Sequence, residues 1–116
     1  MKILIASDSH GLTGSLYRII DTEHPDMLIH LGDMEDDPGR LAAKAGSPST
    51  PCVFIRGNCD SRQYDDMTGT VLRDEAVFPL CGHRFFCCHG HRYHVNYGIQ
   101  TLSCAAYEKG CDIALY

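Results

Sequence analysis

The sequence predicts an α/β fold built on two sheets, and three observations predict it. Short apolar runs alternate with helix-patterned segments through the first half, each run is too short for a helix, and after residue 70 the pattern changes to loosely alternating segments joined by turn residues.

The elements follow in order. Lys2-Ile3-Leu4-Ile5-Ala6-Ser7 is a β-rich run, and the next segment places Leu12, Leu16, Tyr17, Ile19 and Ile20 at helical spacing with Thr13 as its cap. Met27-Leu28-Ile29-His30-Leu31 repeats the strand signal after Pro25, and Leu41-Ala42-Ala43-Lys44-Ala45 reads as a short helix closed by Gly46 and Pro48. Cys52-Val53-Phe54-Ile55-Arg56 is a third apolar strand, so the first half reads as a parallel sheet covered on both faces. Thr70 to Asp74, Glu75 to Phe78 and His83 to Cys88, the last after the turn-like Cys81-Gly82, predict antiparallel pairing in a second sheet. A helix from about Val95 to Lys109 then leads through Gly110 into a last strand, Asp112 to Tyr116.

Composition narrows the function classes. With 116 residues, 44% hydrophobic and 22% charged, the chain reads as a single domain over residues 1–116. The formal charge is -5 and no run of Lys or Arg forms a basic patch, which argues against nucleic acid held by charge. No apolar stretch approaches the roughly 20 residues of a membrane span. Seven cysteines are an odd count, and Met1 to Ala6 reaches Asp8 too soon for a signal peptide, so the reading is reduced thiols in a cytoplasmic, soluble protein.

The chemistry lies at the strand ends. Asp8 and His10 are two apart after the first strand, a spacing that in extended chain turns both side chains to one face. Gly32-Asp33 follows the second strand, Gly57-Asn58 the third, and His89-Gly90 the Phe85 to Cys88 strand. Ligands of open α/β sheets collect beyond the carboxyl ends of the strands, so four loops can gather one cluster of oxygen and nitrogen donors. Taken singly each piece is ordinary: Gly-Asp and Gly-Asn are common turns, and one histidine can be a satisfied core residue. The ordered set of four is what carries the inference.

Asp8-Ser9-His10, Gly32-Asp33-Met34-Glu35-Asp36, Gly57-Asn58-Cys59-Asp60 and His89-Gly90-His91, in this order, resemble the motifs of the calcineurin-like metallophosphoesterases, specifically their small bacterial and archaeal phosphodiesterase branch. The resemblance covers nearly the whole chain and implies a four-layer αββα sandwich. It implies that Asp8 and His10 bind a first metal, Asp33 bridges two, and Asn58 and His89 bind the second, while Asp36 and Asp60 support the loops. By the same resemblance Asp33, Asn58 and Cys59 carry the catalytic roles. The implied cofactors are two divalent ions, Mn first, with Fe, Zn or Ni suited to the same donors. The implied partner is a small phosphoester, hydrolysed by a hydroxide shared between ions roughly 3.5–4 Å apart. The rest of the acidic run, Glu35 to Asp37, reads as a solvated loop, and substrate selectivity is assigned to the loops around residues 36–46 and 61–68.

Two departures from the family pattern matter. Many members place His after Gly-Asn, to protonate the leaving group; here Cys59 stands there, as in the small phosphodiesterase branch, and a thiol of ordinary pKa favours substrates with better leaving groups. In the family a strand like Asp112 to Tyr116 is followed by Gly-His-x-His, which completes both metal shells. Here the sequence stops at Tyr116, so the expectation is an interrupted domain with an incomplete second sheet, one ligand short at each metal, and prone to pair as a homo-oligomer. That leaves an alternative function: a catalytically impaired member or fragment acting as a protein-interaction scaffold, as one eukaryotic trafficking subunit of this fold does.

The remaining motifs are weaker. Cys81, Cys87, Cys88, His89, His91 and His94 invite a zinc-finger reading, but Cys87 and Cys88 point to opposite faces of a strand and no Cys-x-x-Cys exists. His91 and His94 read as rim or surface residues, with His91 the substitute for His89. Gly11-Leu12-Thr13-Gly14 lacks the third glycine and the lysine of a phosphate loop. Arg56 and Arg92 stand beside the proposed donors and read as surface ion pairs or as phosphate contacts.

Overall fold

The computed structural model describes residues 1–61 and 70–116. Strands β1 (Ile3–Ala6), β2 (Met27–His30), β3 (Cys52–Ile55) and β4 (Leu72–Arg73) form one parallel sheet in that order. Strands β5 (Glu75–Leu80), β6 (His83–Cys88) and β7 (Ile113–Leu115) form a second sheet in which β5 and β6 are antiparallel and β6 and β7 parallel. Helices α1 (Gly14–Glu23) and α2 (Pro38–Ala45) cover the outer face of the first sheet, and α3 (Gln100–Glu108) covers the outer face of the second.

Side-chain alternation along the strands builds three apolar layers from this order. Leu28 and Phe54 point outward to Leu16, Ile20 and Leu41 of the helices. Ile29 and Ile55 point inward to Ala76, Phe85 and Cys87 of the second sheet. Phe86 and Cys88 face Leu102 and Ala106 of α3. The stack is α, β, β, α, and Cys87 and Cys88 do lie on opposite faces of β6. Burying apolar side chains on both sides of each sheet supplies the main stabilising term, roughly 1.5–3 kcal/mol for each fully covered Leu, Ile or Phe.

Local chemistry fixes the ends. Asp37 caps α2 by accepting from the Gly39 N–H at 2.8 Å, Pro38 takes the first turn, and Gly46 closes the helix in the left-handed region. The helix therefore begins three residues before the expected Leu41. Cys81 and Gly82, both left-handed, turn β5 into β6 with Leu80 opposite His83, as a two-residue hairpin requires.

Three sequence expectations are corrected. Thr70 to Asp74 was expected in the second sheet, but its strand residues, β4, pair in parallel with β3; two residues carry no periodicity to assign them. The helix from about Val95 to Lys109 is two pieces, a 3-10 turn Val95–Tyr97 and then α3, because Gly98 at φ +130 breaks the chain between them. Thr13 stands at the N-cap of α1, yet its hydroxyl donates to Asp36 at 2.8 Å instead of capping. Of the two loops given selectivity, residues 36–46 are mostly α2, and residues 62–68 of the other lie outside the described residues.

Candidate metal centre

The loops that leave β1 and β2 are zipped together by backbone hydrogen bonds beyond the strands themselves. Asp8 N–H donates to the Gly32 carbonyl at 2.9 Å, His10 N–H to that of Asp33 at 3.0 Å, and Gly11 N–H to that of Met34 at 2.7 Å. Asp8, His10, Asp33 and Glu35 all adopt left-handed backbone, at φ +57, +45, +52 and +52. Asp8 and His10 are thus brought together by two kinks, not by the alternation of extended chain that their spacing suggested. Left-handed backbone costs a non-glycine residue roughly 1–2 kcal/mol, and such strain gathers at functional loops.

Asp60 holds this arrangement. Its Oδ2 accepts from the N–H groups of Asp33 and Gly57, each at 2.8 Å, and its Oδ1 from Glu35 N–H at 2.8 Å. His30, 1% exposed, braces the loop from below: its Nδ1 accepts from Gly32 N–H at 3.2 Å and its Nε2 faces the Ser9 hydroxyl at 3.0 Å. Burial lowers the pKa of His30, keeping it neutral.

Around that frame the donors converge. Asp33 is 4% exposed, and its carboxylate reaches both ways. Donor atoms of Asp8, His10 and Asp33 lie within 4.8 Å of one another. On the other side Asp33 Oδ2 is 3.3 Å from His89 Nε2, which is 3.1 Å from Asn58 Oδ1. Asp33 Oδ1 accepts from Cys59 N–H at 2.8 Å. His89 is delivered by β6, so the cluster draws on both sheets.

Backbone approach here leaves no room for side chains. A Cβ on Gly57 would stand 2.0 Å from Asp33 Oδ1, and one on Gly32, at φ +117, would stand 2.6 Å from His89 Nδ1.

The donor set fits divalent cations on its own chemistry. His89 Nδ1 is 2.9 Å from the Leu31 carbonyl, which can only accept, so that nitrogen carries the proton, and in the neutral form of the ring Nε2 presents a lone pair. Nε2, Asp33 Oδ2 and Asn58 Oδ1 are then three lone-pair donors facing one another, an arrangement that asks for a cation between them. The carboxylate of Glu35 takes the Nδ1 side of His10 and raises its pKa, leaving Nε2 3.7 Å from Asp8 Oδ1.

A family model, the calcineurin-like phosphoesterase superfamily domain, matches residues 1–116. The chain belongs to the calcineurin-like phosphoesterase superfamily. Membership implies divalent metal ions. A probable metallophosphoesterase of Bacillus subtilis, YsnB, is 28% identical over 118 residues, covering 100% of this chain and 62% of that protein. The crystal structure of a Streptococcus pneumoniae TIGR4 protein described as a predicted phosphoesterase superposes with TM-score 0.71 at 26% identity, over 99% of this chain and 60% of that one. A structure of a novel archaeal phosphodiesterase gives TM-score 0.73 at 22% identity, over 100% of this chain and 72% of that one. This calcineurin-like domain therefore spans about three-fifths of the length of the B. subtilis relative.

Within this domain the other sequence readings sort clearly. His91 and His94 are exposed, and the His91 ring lies 5.4 Å from that of His89 at the rim. Arg92 pairs with Asp74 at 3.1 Å, and Arg56 stands 3.8 Å from the same carboxylate. The acidic run is not a solvated loop: Glu35 meets His10, Asp36 accepts from Thr13 and from Asp37 N–H, and Asp37 caps α2. Glu35 and His30 are the site residues that sequence reasoning missed. The available signal for His30 was a lone polar residue in a strand otherwise apolar on both faces.

Proposed function

We propose that this chain carries the core of a metal-dependent phosphodiesterase. The observation that carries the reading is the position of Asp33, a buried carboxylate with Asp8 and His10 on one side and Asn58 and His89 on the other. In this reading Asp8 and His10 hold one ion, Asn58 and His89 a second, and Asp33 both. Bound there, two divalent ions would activate water and neutralise phosphoryl oxygens during in-line displacement at phosphorus. Mn²⁺ is the first choice, with Fe, Zn and Ni the alternatives for an oxygen and nitrogen set.

The chain's own groups supply position and a proton. Cys59 N–H and the clamp of Asp60 hold Asp33 from two directions. The Cys59 thiol is exposed at the rim, with Asn58 Nδ2 donating to its sulfur at 3.4 Å. In the metal-free chain partial desolvation, followed by the charges of Asp33, Glu35 and Asp60, pushes that thiol up, and even a thiol of ordinary pKa is a weaker acid than an imidazolium. A weak acid assists the departing oxygen little. The substrates that fit are therefore small phosphodiesters with a good leaving group, such as an aryl oxide.

The test is metal content by elemental analysis beside hydrolysis of an aryl phosphodiester with added Mn²⁺. Expected are bound metal and turnover in the wild type, with Asp33→Asn losing most of the metal and at least about a hundredfold in rate, the scale of one lost electrostatic group. Unchanged metal content in Asp33→Asn would sink the reading and favour a binding scaffold built on the same fold.

A further inference from the structure

The two histidines of the proposed centre lean on different kinds of acceptor. His89 gives its Nδ1 proton to a neutral peptide carbonyl, that of Leu31, at 2.9 Å. His10 Nδ1 instead meets the carboxylate of Glu35 in a short hydrogen bond. Glu35 is bent into that position. It sits at φ +52, and its N–H is held at 2.8 Å by Asp60, whose other oxygen holds the N–H of Asp33 at the same distance. One carboxylate thus locks Asp33 and Glu35 in the same left-handed form, two residues apart. The rest of the acidic run turns away, Asp36 to Thr13 and Asp37 to the start of α2.

We propose that Glu35 is a positioning residue for the Asp8 and His10 half of the centre and makes that half the tighter of the two for a divalent cation. The proposal rests on the dinuclear reading above. By accepting the Nδ1 proton Glu35 fixes the tautomer in which Nε2, 3.7 Å from Asp8 Oδ1, carries the lone pair. Its charge makes that nitrogen a stronger donor than a carbonyl makes His89, and changes behind a ligating imidazole cost 10–100-fold in metal affinity. Glu35 Oε2 is engaged with His10 Nδ1, and donor atoms of His10, Glu35 and Cys59 also lie within 4.8 Å of one another, so direct ligation by Glu35 is the alternative that the ion count tests.

Calorimetric titration of the metal-free, full 116-residue chain with Mn²⁺ tests this, on wild type, Glu35→Gln, Glu35→Ala and, as a comparison within the same run, Asp37→Asn. Expected is a tightest binding step weakened about tenfold in Glu35→Gln and about a hundredfold in Glu35→Ala, with the number of ions unchanged and Asp37→Asn equal to wild type. Nitrogen NMR of His10 should show Nδ1 protonated in wild type and mixed tautomers in Glu35→Ala, a readout that simple loosening of the fold would not give. Wild-type affinity in both Glu35 variants overturns the proposal alone, and loss of one whole ion shows Glu35 to be a ligand and overturns it too. A wild type that takes up no Mn²⁺ overturns the dinuclear reading along with it.

Discussion

Residues at the strand ends decide how much of the site can be read in advance. The convergence of Asp8, His10, Asp33, Asn58 and His89 was legible because each follows an apolar strand and the carboxyl ends of the strands gather their loops, whereas the kinks that turn Asp8 and His10 together were not. Glu35 was not legible, because in a run of carboxylates nothing in residue type distinguishes the one that turns inward; only the left-handed backbone at Asp33 and Glu35 selects it. Gly57 is required less for its own conformation than because Asp33 occupies the space of its missing side chain. Gly57→Ala should therefore cost about 3 kcal/mol, the upper range for an overpacked site, and displace the Asp33 carboxylate. Denaturant unfolding and Mn²⁺ uptake check it, and a variant matching wild type in both would show that the loop has slack.

Among elements, most strands were predicted within a residue or two of their ends, whereas β4 was assigned to the wrong sheet and the starts of α2 and α3 were misplaced by three and five residues. β4 has two residues and takes its sheet from its neighbour β3, which no local pattern reveals. β7 is also short, and polar contacts at its entry hold it in register. Asp112 Oδ1 accepts from Arg84 N–H at 2.7 Å, Oδ2 lies 2.7 Å from His83 Nδ1, and Asp112 N–H donates to the Arg84 carbonyl at 3.1 Å. The His83 hydrogen bond, then the Arg84 N–H, lowers the pKa of Asp112 in the folded state. A depressed folded pKa means stability that is present above the unfolded value of about 3.9 and disappears as pH falls through the folded one. Asp112→Asn should melt below wild type at pH 7, and the gap should close as pH drops below about 4. A gap of constant size down to pH 2 would place the stabilising role elsewhere.

At the scale of the whole molecule, the four layers sort seven cysteines into environments that reagents can distinguish. Cys87 lies between the two sheets, with its thiol pushed up to about 12 by burial, and Cys88 lies under α3, at about 11. Cys59, Cys81 and Cys104 are exposed. A disulfide reagent at pH 8 should consume Cys81 and Cys104 first and Cys59 more slowly. Cys87 and Cys88 should react only on unfolding, since the thiolate is the nucleophile. Reaction of Cys87 in the native protein, followed by mass spectrometry, would mean that the sheets separate. The layered order was itself legible from strand alternation and from the family resemblance, whereas the packing that raises these two thiols depends on contacts far apart in sequence.

The cluster takes Asp8, His10, Asp33 and Asn58 from loops of the first sheet, and His89 from the end of β6 in the second. A cation gripped from both sides would bind the docked sheets and ignore the separated ones, so by mass action it would act as a clasp, adding about 2.7 kcal/mol at a free concentration a hundred times its dissociation constant. The supply of metal would then set how long the chain survives.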